Sequence, residues 1–100
     1  MSTKGKRYIN KKSGRAILLR AAAQLREPFN PEDLTVAAWT ASNSFFGLIG
    51  YELDHPDLNR VLACIYGPSG FLKQGLMSKV GPKQFQLTEL GKSLIKGENN

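Results

Sequence analysis

Cysteine is nearly absent from this chain of 100 residues. Cys64 is the only one, so no internal disulfide can form, and a reducing, cytoplasmic setting is expected. Histidine is as scarce, with His55 alone. Glu52, Asp54, His55 and Asp57 offer oxygen and nitrogen donors, but their spacing matches no known ligand set, so they read as helix caps and surface groups. On one helix, His55 and Cys64 would stand about 13 Å apart, too far to share a proton. "GPSGFLKQG" has glycines without the order of a phosphate-binding loop. No metal, no cofactor and no catalysis are expected. No apolar run reaches the roughly 18–20 residues that span a bilayer, and the charged N-terminus has no apolar block behind it, so neither a membrane partner nor a secretory signal is expected.

Acids are missing from the first quarter. Residues 1–26 hold eight Lys or Arg and no Asp or Glu. Residues 27–57 hold six acids and no Lys or Arg, and residues 58–100 hold six bases against two acids. The net charge is +6. Such segregation predicts one positive and one negative side, and a positive side suits a polyanionic partner.

Apolar residues form 41% of the chain, enough for one modest globular domain. Residues 1–12 have no period and read as a flexible basic arm carrying Lys4, Lys6, Arg7, Lys11 and Lys12. Ser13 then caps a helix whose apolar stripe is Ile17, Ala21 and Leu25, with Leu18 and Ala22 beside it, and Pro28 stops it. "NPED", residues 30–33, starts a second helix, because Asn caps, Pro fits the first helical position and acids suit the first turn. Leu34, Ala37, Ala38 and Ala41 make its inner stripe, with Trp39 to one side.

Residues 42–57 show no period. They predict an ordered loop that keeps Phe45, Phe46, Leu48, Ile49 and Tyr51 out of water. Asp54 or His55 caps a third helix with Pro56 at its first position. Leu58, Val61, Leu62 and Ile65 face inward, and Asn59, Arg60, Ala63 and Cys64 lie opposite. "FLKQ" predicts a further turn between Ser69 and Gly75. Period two then appears on both sides of Gly81-Pro82-Lys83, which predicts a hairpin near 76–80 and 84–88. Thr88 caps a short last helix that buries Leu90, Leu94 and Ile95. Leu25, Leu62, Ile65, Leu76 and Leu87 are expected in one core. Residues 13–96 form the domain and 97–100 a tail. The fold class is α+β, mainly α.

"FLKQGLMSKVGPKQFQLTELG" resembles the end of winged helix-turn-helix DNA-binding domains of bacterial and phage regulators. Gly75, Leu76 and Lys79 match the first wing strand, and Phe85, Leu87, Thr88 and Gly91 match the return strand. The resemblance covers roughly a quarter of the chain. It implies non-catalytic binding of double-stranded DNA, in transcription regulation or as a module of a larger assembly. The third helix would lie in the major groove, where Asn59 would meet adenine and Arg60 guanine. Lys79, Lys83 and Gln84 on the wing, and Lys73 just before it, would meet the backbone. One departure is a segment of about 14 residues between the second and third helices, against the usual 3–4. That aromatic and acidic segment, 42–57, suggests the alternative of a protein–protein module or self-association.

Overall fold

Polar caps decide where the helices begin. In a computed structural model, which describes residues 13–99 and side chains through Lys96, helix α1 spans Gly14–Ala23 with Ser13 Oγ accepting from Ala16 N at 3.0 Å. It ends well before Pro28. The N–H groups of Gln24 and Leu25 turn back onto the Ala21 and Ala22 carbonyls, which tightens and closes the last turn. The buried face is also wider than the expected stripe. Leu18, Leu19 and Ala22 are buried, while Ile17 and Leu25 sit only at the edge, because α1 packs against three elements: the second helix, the second strand and the last helix.

Helix α2 spans Pro31–Ala41, with Asn30 Oδ1 accepting from Asp33 N at 2.6 Å and Pro31 in the first turn. Leu34 and Ala38 are buried, Ala37 is partly buried, and Ala41 is exposed. Thr35 is buried too, and its hydroxyl donates to the Pro31 carbonyl at 2.7 Å. The following segment is not all loop. Ser42 caps a four-residue helix, α3, Asn43–Phe46, which drives Phe46 into the core.

Helix α4 spans Leu58–Tyr66. Its cap is Asp57, not Asp54 or His55, because Pro56 is held back in an isolated bridge to Gly47. Asp57 Oδ1 accepts from Arg60 N at 3.2 Å. Replacing Asp57 with Ala should cost about 0.5–2 kcal/mol in denaturant unfolding, and Asp57→Ser should recover most of it, since a hydroxyl also caps. Val61 and Ile65 are buried, whereas Leu62 is half-buried and stands outside the core cluster, contrary to expectation.

Residues 71–75 form turns, ending at Gly75 with φ +73°, where a side chain would be strained. Strand β1, Met77–Gly81, pairs antiparallel with β2, Gln84–Leu87, in the register Met77 to Leu87 and Lys79 to Phe85, with a bulge before Gly81. Pro82 and Lys83 make the turn, and Lys83 adopts φ +56°. Phe29 adds a one-residue bridge to Phe85, its N–H and carbonyl bonding back at 2.9 and 2.8 Å. The hairpin is thereby tied to the start of α2. Helix α5 runs Glu89–Asn99, through residues expected as a tail. Thr88 Oγ1 accepts from Gly91 N at 3.1 Å and its hydroxyl donates to the Gly75 carbonyl. Gly91 lies so close to the Leu76 carbonyl oxygen that a Cβ there would overlap it. Leu94 and Ile95 are half-buried, but Leu90 is exposed. Ile65, Leu76 and Leu87 share the core with Phe29, Phe46, Phe71, Met77 and Phe85.

Candidate nucleic-acid interface

Helical geometry sets which residues of α4 share a face. From Asn59 to Tyr66 is seven residues, or about 700°, which returns within about 20° of the start, and Ala63 falls between them. Asn59, Ala63 and Tyr66 therefore line one stripe, with Arg60 on its flank, and all four are exposed. Tyr66 was missed in the sequence because it reads as one more apolar residue at the helix end. The i, i+7 spacing from Asn59 is the signal that identifies it.

The hairpin meets this stripe at Tyr66. Lys79 stands directly across β2 from Phe85, and its Nζ lies 5.8 Å from the centre of the Tyr66 ring. Tyr66 in turn sets its ring edge-on to Phe85 at 6.0 Å. A cation over an aromatic face gains about 0.5–1 kcal/mol at an exposed site. That contact holds the Lys79 ammonium at the C-terminal end of the α4 stripe, about 9 Å along the axis from Arg60.

On the same flank as Arg60, Arg15 is drawn in from the start of α1. Its guanidinium lies 4.8 Å over the buried Phe71 ring and its Nη2 donates to Gln74 Oε1 at 2.9 Å. Arg15 and Arg60 both act on Cys64. Burial pushes that thiol up from its ordinary value, and the two guanidinium charges pull it partly back. Arg15 follows directly on the basic first residues of the chain, which was the available signal for it. Lys73 is exposed on the neighbouring turn.

The hairpin tip is placed differently. Lys83 Nζ lies 3.2 Å from Glu32 Oε2 at the start of α2. The backbone N–H of Glu32 itself, then Lys83, hold this carboxyl below its ordinary range. Lys92 pairs similarly with Glu27 at 3.8 Å, while Glu27 Oε2 accepts from Leu87 N at 2.9 Å. Acids of the second quarter thus neutralise bases of the last, and the charge segregation of the sequence is undone at these two points. Gln84 is exposed and Gln86 half-buried. The structure brings Asn59, Arg60 and Lys79 onto or beside one helix face, and it turns Lys83 toward α2. Lys4, Lys6, Arg7, Lys11 and Lys12 lie outside the described residues.

The 42–57 segment does not bury its apolar groups as expected. Phe46 is buried and Phe45 partly so, but Leu48, Ile49, Tyr51 and Leu53 are exposed. The reason is local. Leu48 N–H reaches the His55 carbonyl at 2.7 Å, and Tyr51, Asp54 and His55 close consecutive turns within. Trp39 Nε1–H donates to the Glu52 carbonyl at 2.7 Å, and the Gly50 N–H meets Glu52 Oε2 at 3.0 Å. That amide holds the Glu52 carboxyl below its ordinary range. A loop that satisfies its own backbone leaves its side chains to radiate outward.

Among the described residues, no cluster of His, Cys, Asp or Glu could hold a metal ion, and no helix is long and apolar enough to cross a membrane. No family model matches the chain, and no curated protein or solved structure matches it either.

Proposed function

We propose that this chain is a winged-helix domain that binds double-stranded DNA without catalysis, in a transcription regulator or as the DNA-binding module of a larger assembly. The observation that carries the reading is the joint placement of helix and hairpin. The α4 stripe of Asn59, Ala63 and Tyr66 is exposed and lacks bulky side chains at its centre, which suits entry into a major groove. Arg60 and Arg15 flank it on one side, and Lys79 stands at its end over Tyr66. A rigid hairpin, clamped through Phe29 and Phe85, sets that cation at a fixed height beside the groove-facing helix. Phosphate contacts from such groups position the duplex, and Asn59 and Arg60 are the pair with base-reading chemistry. Asp57 caps α4 by accepting from the Arg60 N–H, and its negative charge sets the duplex toward the middle and C-terminal end of the stripe, nearer Lys79, rather than over the first turn.

The test is an amide-shift titration with a random-sequence duplex, joined to affinity measured over a salt series. Shifts should concentrate at residues 59–66 and 73–80, and log affinity should fall with log salt by about 0.9 for each phosphate contact. Shifts confined to residues 48–55, or an affinity indifferent to salt, would count against DNA and for a protein partner at the aromatic loop.

A further inference from the structure

Two features away from the hairpin stand side by side. The first is the loop described above, which presents Ile49 at 79% and Leu53 at 78% exposure, beside the exposed Leu48 and Tyr51. Its backbone is closed on itself and pinned through Trp39 and Gly50, so a segment docking on it need not order it. Glu52 and Asp54 add two negative charges, and among the described residues neither is paired with a Lys or Arg. The Gly50 amide favours the charged form of Glu52 without neutralising it. The second feature is the start of α1. Gly14 lies so close to the Phe45 ring that a Cβ there would stand 3.0 Å from it. Residues 1–12, which lie outside the described residues, therefore join the domain beside α3, just ahead of the loop. The same helix start also carries Arg15 over Phe71, near Cys64 of α4.

We infer that the basic segment 4–12 of this chain docks on its own 48–54 loop, Tyr8 and Ile9 against Ile49 and Leu53, with the flanking Lys and Arg beside Glu52 and Asp54. Charge selects this pairing. "KGKRYINKK" holds five bases and no acid, with its apolar pair in the middle, and the loop holds acids and no base. Reach allows it. Ile49 is four residues beyond Phe45, at most about 14 Å of extended chain, whereas the residues ahead of Ser13 can span about 40 Å. Size favours a tethered occupant. An interface between separate chains takes about 20–30 residues a side, far more than this loop supplies. A segment joined beside the loop meets it at an effective concentration in the millimolar range, so a small contact suffices. The consequence is a switch. The segment is rooted between the loop and the α4 face, so bases held on the loop are withheld from a duplex, and a duplex must displace them. That consequence rests on the DNA reading, whereas the contact itself does not.

Paramagnetic relaxation in the full chain, without DNA, tests the contact. Cys64→Ser removes the native thiol, and Ser2→Cys carries a nitroxide label. Amides of residues 48–54 should broaden, and to the same degree at every protein concentration. Ile49→Ser with Leu53→Ser leaves the charge unchanged and should cut that broadening about twofold or more, the loss expected when central apolar anchors are removed. Circular dichroism should stay unchanged, since both side chains are exposed. Amides 48–54 that stay sharp, or broadening indifferent to the loop substitutions, would overturn the inference. Broadening that appears equally when the label and the observed amides are on different chains would overturn docking within one chain. With a random-sequence duplex, the same pair of substitutions should raise affinity about threefold, because more of the protein is then competent to bind. Loss of the contact with no gain in affinity would overturn the switch. Failure of both forms to bind a duplex would sink the DNA reading alone, because the contact is measured without DNA.

Discussion

Phe85→Ala is expected to lower stability by about 3–5 kcal/mol, the loss for a large aromatic side chain removed from a packed core. Few positions in the chain join so many parts. Phe85 is fully buried in the central cluster. Its backbone exchanges two hydrogen bonds with Phe29, which ties β2 to the start of α2. Its ring receives the edge of Tyr66 from α4, and Lys79 faces it across the hairpin. A domain of this size has roughly 5–15 kcal/mol in all. The midpoint of thermal unfolding should therefore fall by more than about 10 °C. Val80→Ala, on the same hairpin but exposed, should stay within about 0.5 kcal/mol. Equal small losses at both positions would mean that the hairpin is not seated on the core through Phe85. Phe85→Leu is a gentler probe. It should keep the fold while removing the ring under Tyr66, so its effect on DNA affinity should exceed what its stability loss explains.

The hairpin was legible in the sequence because its cause is local. Period two and a Gly-Pro tip need no tertiary information, and the matched pairs Met77 with Leu87 and Lys79 with Phe85 follow from them. The caps Ser13 and Asn30 were legible for the same reason. The cap of α4 was not, because Pro56 can either open a helix or stand in an extended bridge, and its partner Gly47 lies nine positions away. Four residues are too few for any period, which hid α3. The exposed loop was misread because apolar composition speaks of burial only on average. At Leu48 to His55, backbone bonds local to the segment fix the shape and leave the side chains outside. Of the site, Asn59, Arg60 and Lys79 could be placed by periodicity alone. Arg15 could not, because its position depends on Phe71 and Gln74 coming together beside α1. Nor could the pairing of Lys83 with Glu32, which joins a turn to a helix start 51 positions away.

That pairing makes the hairpin lysines unequal, and on the proposed reading DNA affinity should show it. Lys79 is held at the end of the α4 stripe, whereas Lys83 is held against a carboxylate. Lys79→Ala should weaken binding to all duplex sequences alike, because phosphate contacts carry no base information. The slope of log affinity against log salt should drop by about 0.9, the share that a single neutralised phosphate carries. Lys83→Ala should change affinity and slope less, since its charge is already partly spent on Glu32. Glu32→Gln should do the reverse. It removes a negative charge from beside the hairpin tip and frees Lys83 to swing toward a phosphate, so affinity should rise and the slope should steepen toward one more neutralised phosphate. Fold should hardly respond, as both partners are well exposed. Arg60→Ala belongs to a different class. On a groove-facing helix it should cost about 1–3 kcal/mol against a preferred sequence and much less against others. Circular dichroism would check that each variant keeps its fold, and anisotropy with a labelled duplex would read the affinities. If Lys79→Ala leaves both affinity and salt slope unchanged while Lys83→Ala lowers them, the duplex runs past the hairpin tip rather than along α4, and the proposed face is wrong. If neither lysine matters, the hairpin is a structural strap and the case for a wing falls.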